Sequence, residues 1–311
     1  MPESQAPESH APESATRESV TPGSVAVDAP RRGPWATALA LAGSTHPGPT
    51  VVVTIVAFAL GLALNLDAGR LGILTLSVFL GQLSIGLSND AIDAGRDAQT
   101  GRTDKPLARP GAPVRAATVL AVATAAAALA TAAVLGWGLA LAHGVFLACA
   151  WAYNLALKAT VWSAACFLVG FGVFPSLASL SLPDPRLAPW WAWVAGGALG
   201  LAVHFSNVLP DLDDDLRTGV RGLPHRLGRR ASAAVAFLAL LAGAATAFAG
   251  PAQTIALSLL SWITAVVVVV IAAVGLVISR RGTPSRWSFR LVMIAALVLV
   301  TQLVVTGWLV V

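Results

Sequence analysis

Long apolar segments dominate this 311-residue chain and constrain its fold more than any other feature. Each is about 20 residues long, the length that crosses a bilayer as a helix. None alternates apolar and polar residues as a membrane β-strand would. The sequence therefore predicts an all-α polytopic membrane protein. Nine such transmembrane helices are expected, at approximately residues 49–66, 71–90, 114–135, 138–156, 161–181, 189–209, 231–249, 254–278 and 289–310.

Charged residues make up only 11% of the chain, whereas a soluble domain has roughly a quarter. This composition excludes a cytosolic enzyme with a conventional core. The net charge of +5 comes from basic residues beside apolar segments, which indicates contact with lipid headgroups rather than with nucleic acid. Cys149 and Cys166 lie within apolar segments and are interpreted as buried hydrophobic residues, not as a disulfide or zinc site.

The N-terminal segment has a different composition from the rest of the chain. Residues 1–33 are rich in Pro, Ser and Glu and contain Pro-Glu-Ser three times. Such a segment cannot build a packed core, so we expect a disordered tail. Residues 34–311 are then a single transmembrane domain.

Basic residues are concentrated in alternate connections between the apolar segments. They precede the first segment and follow the second, fourth, sixth and eighth, whereas the other connections carry only Arg70 and Arg186. Cytoplasmic loops of membrane proteins carry the excess of Lys and Arg. We therefore expect a cell (inner) membrane protein whose N-terminus and basic loops are cytoplasmic and whose C-terminus is outside.

Acidic residues are clustered in two of these loops, because eight of the eleven Asp lie within 90–104 and 211–215. If the second helix continues beyond the membrane, Asp90, Asp93 and Asp97 share one face, with Asn89 beside them. Asn207, Asp211 and Asp215 have the spacing i, i+4 and i+8, which also predicts one helix face.

Like charges this close repel one another, and a divalent cation removes the repulsion. Oxygen ligands alone favour Mg²⁺, which proteins bind through a few carboxylates and substrate phosphates. The pattern therefore predicts a metal-held diphosphate. The cations expected to pair with its phosphate oxygens are Arg102, Lys105, Lys158 and Arg217.

These motifs together resemble the UbiA superfamily of intramembrane prenyltransferases. The resemblance rests on Asn-Asp-x-x-Asp-x-x-x-Asp after the second segment and Asp-x-x-x-Asp-x-x-x-Gly after the sixth, and it covers the chain after the tail. It implies nine helices around a central cavity. It also implies Mg²⁺-dependent transfer of an isoprenyl group from an allylic diphosphate to an acceptor, commonly aromatic, within the membrane.

The resemblance also implies roles for individual residues. The metal ligands are expected to be Asn89, Asp90, Asp93, Asp97, Asp211 and Asp215. The residues expected to be catalytic are Asp90, Asp93, Asp211, Asp215 and Lys158, and those expected to bind diphosphate are Asn89, Arg102, Lys105, Lys158 and Arg217. On the acceptor side the candidates are His46, Tyr153 and Asn207. Members that prenylate hydroxybenzoate carry Arg or Lys where this chain has His46, which is either an acceptor contact or a helix-entry histidine at the interface.

Two other hypotheses remain at this point. A terpene cyclase of the same fold would ionise the diphosphate with the same carboxylates but use no separate acceptor. A transporter would place ionisable residues near the middle of the membrane, whereas here they gather at one face. The sequence favours the prenyltransferase.

Overall fold

The structure is a computed structural model that describes residues 33–250, 258–280 and 286–306. The predicted tail, 1–33, lies outside these residues except for Gly33. Every regular element in the described part of the chain is helical. The helices are α1 Pro34–Gly43, α2 Pro47–Ala63, α3 Ala68–Gln99, α4 Val114–Ala133, α5 Trp137–Leu155, α6 Ser163–Val173, α7 Pro175–Ser179, α8 Trp190–Val208, α9 Leu212–Arg217, α10 Leu223–Ala249, α11 Leu259–Arg280 and α12 Trp287–Thr306.

Six of these helices are long and apolar enough to cross a membrane, namely α3, α4, α5, α10, α11 and α12. The helices α1 and α2 meet at 56° and would add a seventh span as a bent pair. The all-α membrane fold is confirmed, but the count of nine is not. The predicted fifth span is divided into α6 and α7 at Pro175, which cannot donate a backbone hydrogen bond. The sixth corresponds to α8, which contains three Trp and three Gly.

Local sequence signals explain where the main helices begin. Pro34 and Pro47 occupy the first turns of α1 and α2, where a missing N–H costs nothing. Asp67 caps α3 by accepting hydrogen bonds from the backbone N–H groups of Gly69 and Arg70. The helix α3 continues well past residue 90, which is the condition for Asp90, Asp93 and Asp97 to share one face, so its last turns carry the first acidic cluster.

Glycines allow two close approaches, one between two helices and one between a helix and a turn. A Cβ at Gly196 or Gly200 of α8 would lie 2.3–2.4 Å from the carbonyl oxygens of Phe171 and Phe167 in α6. A Cβ at Gly86 of α3 would lie 2.5 Å from the carbonyl of Thr45. Small residues at such interfaces are typical of helix packing in lipid. The second contact places the turn between α1 and α2 beside the acidic end of α3.

The connection after α8 differs from the sequence prediction. The helix ends at Val208, a turn follows, and α9 begins at Leu212. Asn207, Asp211 and Asp215 therefore do not lie on one uninterrupted helix. Pro210 lacks the N–H that would continue the α8 ladder, which explains the break.

Candidate active site at the ends of α3 and α8

The first acidic cluster forms a buried face at the end of α3. Asp90, Asp93 and Asp97 are 2%, 7% and 6% exposed, although three carboxylates within eight residues would normally face water. Burial of charges this close together requires partners of opposite sign. Asp90 and Asp93 have such partners, most of them from other parts of the chain.

Asp90 is held by a histidine and a lysine from two different connections. Its Oδ1 lies 2.7 Å from Nε2 of His46 and 2.6 Å from Nζ of Lys105. A carboxylate only accepts hydrogen bonds, so His46 donates from Nε2. His46 precedes α2 with φ of 53°, a left-handed conformation uncommon for a non-glycine residue. This conformation brings the ring to the α3 carboxylate.

Asp93 also contacts two cations. Nζ of Lys158, on the turn Leu157–Ala159 after α5, donates to Oδ1, and Nη2 of Arg96 lies 2.7 Å from Oδ2. Burial lowers the pKa of Lys158, because desolvation disfavours the ammonium form more than Asp93 favours it. The lysine is thus fixed beside the carboxylate face with little solvation of its own.

Arg102 connects the two acidic segments. Its Nε and Nη2 donate to the two oxygens of Asp104 at 2.8 and 2.9 Å, and Nη1 lies 3.4 Å from Oδ1 of Asp211. The hydrogen bonds from Arg102 lower the pKa of Asp104 to about 2, whereas burial raises the pKa of Asp211. Arg286, just before α12, also contacts Asp104 at 3.1 Å. The structure therefore brings together clusters more than 100 residues apart.

The other acids of the second segment have separate partners. Oδ2 of Asp215 lies 3.2 Å from Nε2 of the buried His225. Asp213 faces away and pairs with Arg229 at 2.9 Å. Arg217 pairs with Asp214 at 3.1 Å, and its side chain is 77% exposed.

An apolar cavity of about 270 Å³ adjoins these segments. Its walls include an aromatic group in which Phe146 contacts Phe171 and Phe174 at ring distances of 5.6 and 5.2 Å. Tyr153 lies edge-on to Phe167, also a lining residue, at 5.0 Å. The size is close to the lower end of the range for small-molecule sites.

Polar lining residues connect the cavity to the acidic end. Asn89 and Asn207 line the cavity and lie beside the acidic residues in the chain, and the lining residue His46 contacts Asp90. Asn89 donates to Asn154 at 3.1 Å, and Asn154 donates to Ser88 at 2.9 Å, so these amides are fixed. Carboxylates and cations at one end of an apolar cavity can hold a charged headgroup whose hydrocarbon portion is buried below.

The family model described as UbiA prenyltransferase family matches residues 50–295. The chain belongs to the UbiA prenyltransferase family. As a member it is an enzyme, a prenyltransferase, and an integral membrane protein. No curated protein matches the sequence.

Solved UbiA structures share the fold. A UbiA homologue from Archaeoglobus fulgidus bound to GPP and Mg²⁺ is 16% identical, with a TM-score of 0.68 over 87% of this chain and 99% of that chain. An apo UbiA homologue from Aeropyrum pernix K1 is 19% identical, with a TM-score of 0.68 over 83% and 98% of the two chains. A digeranylgeranylglyceryl phosphate synthase is 10% identical, with a TM-score of 0.62 over 87% and 98%.

Two residues of the candidate site have no signal in the sequence motifs. His225 comes from α10, and Arg286 lies just before α12. Their contacts depend on tertiary packing, so no local spacing predicts them. Arg96 is the exception, because its i+3 spacing from Asp93 is typical of a helix ion pair.

Proposed function

We propose that this UbiA enzyme transfers an isoprenyl group from an allylic prenyl diphosphate to a small lipophilic or aromatic acceptor inside the membrane. The observation that carries the proposal is the arrangement of Asp90, Asp93 and Asp211 with Lys105, Lys158 and Arg102 at one end of an apolar cavity. The charged end suits a diphosphate, and the aromatic walls suit an isoprenyl chain.

The proposed metal is Mg²⁺, and the donor set fits it. The candidate ligands are carboxylate and amide oxygens, which hard cations prefer: Asn89, Asp90, Asp93, Asp97, Asp211 and Asp215. Both contacts of Asp90 are to Oδ1, and Asp97 has no ion pair within 4 Å among the described residues.

Protein side chains alone do not complete a metal site here. In the described parts of the chain, no three His, Cys, Asp or Glu residues converge on one point. Substrate phosphate oxygens would therefore supply the remaining ligands, as is usual for Mg²⁺. When bound, the metal supplies neutralisation of diphosphate charge. The homologue from Archaeoglobus fulgidus contains both GPP and Mg²⁺, which supports the same combination here.

The side chains then perform separate tasks. Lys105, Lys158 and Arg102, with Arg217 at the exposed edge, pair with phosphate oxygens and stabilise the leaving diphosphate. The allylic C–O bond breaks with its electron pair remaining on the diphosphate. A bond forms between the allylic carbon and the acceptor, which releases a proton.

The cavity walls complete the proposed site. The aromatic faces of the lining stabilise positive charge on the allylic carbon and exclude water that would trap it. His46, Tyr153 and Asn207 are the proposed acceptor contacts, since all three line the cavity. The acidic segments are proposed to face the cytoplasm, in agreement with the distribution of basic residues.

Turnover of GPP by the purified full-length protein in nanodiscs tests the proposal. With Mg²⁺ and a panel of aromatic acceptors, we expect a prenylated acceptor and diphosphate; EDTA should abolish both, and added Mg²⁺ should restore them. A second arm omits the acceptor. A cyclic hydrocarbon or alcohol formed equally fast in that arm would contradict the transferase and support the cyclase alternative. Absence of any Mg²⁺-dependent product would reject both.

A further inference from the structure

The cavity lining is poor in charged side chains below the end where His46 pairs with Asp90. Among the described residues, none of those that line it is Lys, Arg, Asp or Glu. The lining polar groups are amides, hydroxyls, thiols and a histidine. A carboxylate moved from water into such a wall would lose hydration without gaining a cation. The cavity is therefore suited to neutral ligands below the charged headgroup site.

Gln82 of α3 is the most buried of the polar lining residues whose side chains have no protein partner among the described residues. Its side chain forms no hydrogen bond there and the residue is only 7% exposed, whereas Tyr153 and Asn207, which also form none, are more exposed. Neighbouring polar groups are satisfied: Thr50 donates to the carbonyl of Thr45, and Asn154 bonds Ser88. The amide atoms of Gln82 are open to the cavity, so the partners available to them are a ligand group or water.

The position of Gln82 along α3 indicates which ligand it meets. Gln82, Ile85, Gly86 and Asn89 all line the cavity, so they follow one helix face. Gln82 lies seven residues before Asn89, about 10 Å deeper at 1.5 Å per residue. An isoprenyl chain is a hydrocarbon and offers nothing to an amide. A substrate polar group at this depth therefore belongs to the acceptor.

We propose that Gln82 determines acceptor specificity by hydrogen bonding to a hydroxyl or carbonyl oxygen of a neutral acceptor. This inference rests on the proposed function, since it assigns the second substrate of the same site. The amide both donates and accepts, so it can bind either oxygen type. Acceptors that place a carboxylate at this depth are disfavoured.

Two acceptors that differ by one group test the proposal directly. With GPP and Mg²⁺, the full-length enzyme should turn over 1,4-dihydroxynaphthalene with kcat/KM at least about 10-fold above that for its 2-carboxylate, a difference of about 1.4 kcal/mol. Gln82→Leu should raise KM for the neutral diol about 10-fold and change KM for GPP less than about 2-fold. Gln99→Leu, at the exposed end of the same helix, is the matched control and should change neither.

Binding measured without GPP separates this proposal from the proposed function. Isothermal titration with the diol should give a Kd that Gln82→Leu weakens about 10-fold, even if no turnover occurs. Gln82→Met, which conserves length and shape but removes the amide, should weaken diol binding similarly and guards against misfolding of the leucine variant. Equal or better use of the carboxylate, or an unchanged diol KM and Kd in both Gln82 variants, would show that the amide is merely hydrated and overturn the proposal.

Discussion

Asp93 fixes two cations at the proposed diphosphate site, and its loss should therefore be severe. Asp93→Asn keeps the size of the side chain but leaves Lys158 and Arg96 without their anion. We expect Mg²⁺-dependent turnover of GPP to fall on the order of 100-fold or more, because charge stabilisation at the leaving group is lost. The measurement is the initial rate at saturating GPP, with thermal unfolding as a check of the fold.

Asp213→Asn is the matched control for this prediction. Asp213 is 62% exposed at its side chain and, among the described residues, forms an ion pair only with Arg229, so the same substitution should lower the rate less than about 3-fold. An equal loss at Asp93 and Asp213 would mean that general charge reduction, not the site geometry, causes the effect.

Substitutions at Arg102 and Arg217 should differ in their effect on KM for GPP, although the sequence predicts that both residues bind phosphate. Arg102 is 15% exposed and bridges Asp104 and Asp211, whereas Arg217 is 77% exposed. We expect Arg102→Gln to raise KM for GPP at least about 10-fold and Arg217→Gln only a few-fold, since exposed pairs are weak. Steady-state kinetics with GPP as the varied substrate measures both. The reverse order would indicate that α9 moves over the site when substrate binds.

At the scale of helices, close packing of α3 against the turn before α2 positions His46. A Cβ at Gly86 would lie 2.5 Å from backbone atoms of Thr45, which cannot move independently of the turn. Gly86→Ala should therefore destabilise the protein by roughly 1–3 kcal/mol and displace His46 from Asp90. Thermal unfolding in detergent should show a lower Tm.

Gly95, on the same helix, provides the comparison. Nothing lies within 4 Å of a Cβ at this position, so Gly95→Ala should stabilise α3 by about 0.5–1 kcal/mol. Similar Tm shifts for the two alanine variants would contradict the packing explanation.

Helix periodicity made one part of the candidate site, the first acidic cluster, predictable from the sequence. Asp90, Asp93 and Asp97 share a face because α3 is a regular helix through Gln99, so their spacing alone was sufficient. The second cluster was less predictable, because Pro210 interrupts the helix and His225 reaches Asp215 from α10. Gln82 carries no signal in the sequence, since its significance comes from an apolar wall built by several helices.

At the scale of the whole molecule, the proposed orientation can be tested with introduced cysteines. In a background with Cys149 and Cys166 replaced by Ala, Ala98→Cys lies at the acidic end of α3 and Asp184→Cys in the connection between α7 and α8. On intact cells, an impermeant maleimide should label position 184 and not position 98 until the cells are lysed. Labelling of position 98 from outside would reverse the orientation.

The N-terminal tail is proposed to be separable from the catalytic domain. A chain that begins at Pro30 retains Arg31, Arg32 and Trp35, which we expect to orient and anchor the first helices. Its GPP turnover and Tm should remain within about 2-fold and 2 °C of the full chain, because a tail without apolar periodicity buries little surface. Normal insertion with loss of turnover would instead assign the tail to the active site.

The chain contains only two lysines, Lys105 and Lys158, and each is bonded to a carboxylate of α3. Apart from the N-terminal amine, every group that an amine-selective acylating reagent can modify therefore lies in the proposed diphosphate site. Chemical footprinting followed by peptide mass spectrometry would report on site occupancy without radiolabel or enzyme turnover. The Lys105 and Lys158 side chains are 17% and 12% exposed. A small reagent can therefore reach them, and a bound diphosphate should block it. Because the chain has no other lysine, a covalent inhibitor directed at lysine side chains would react at these two positions.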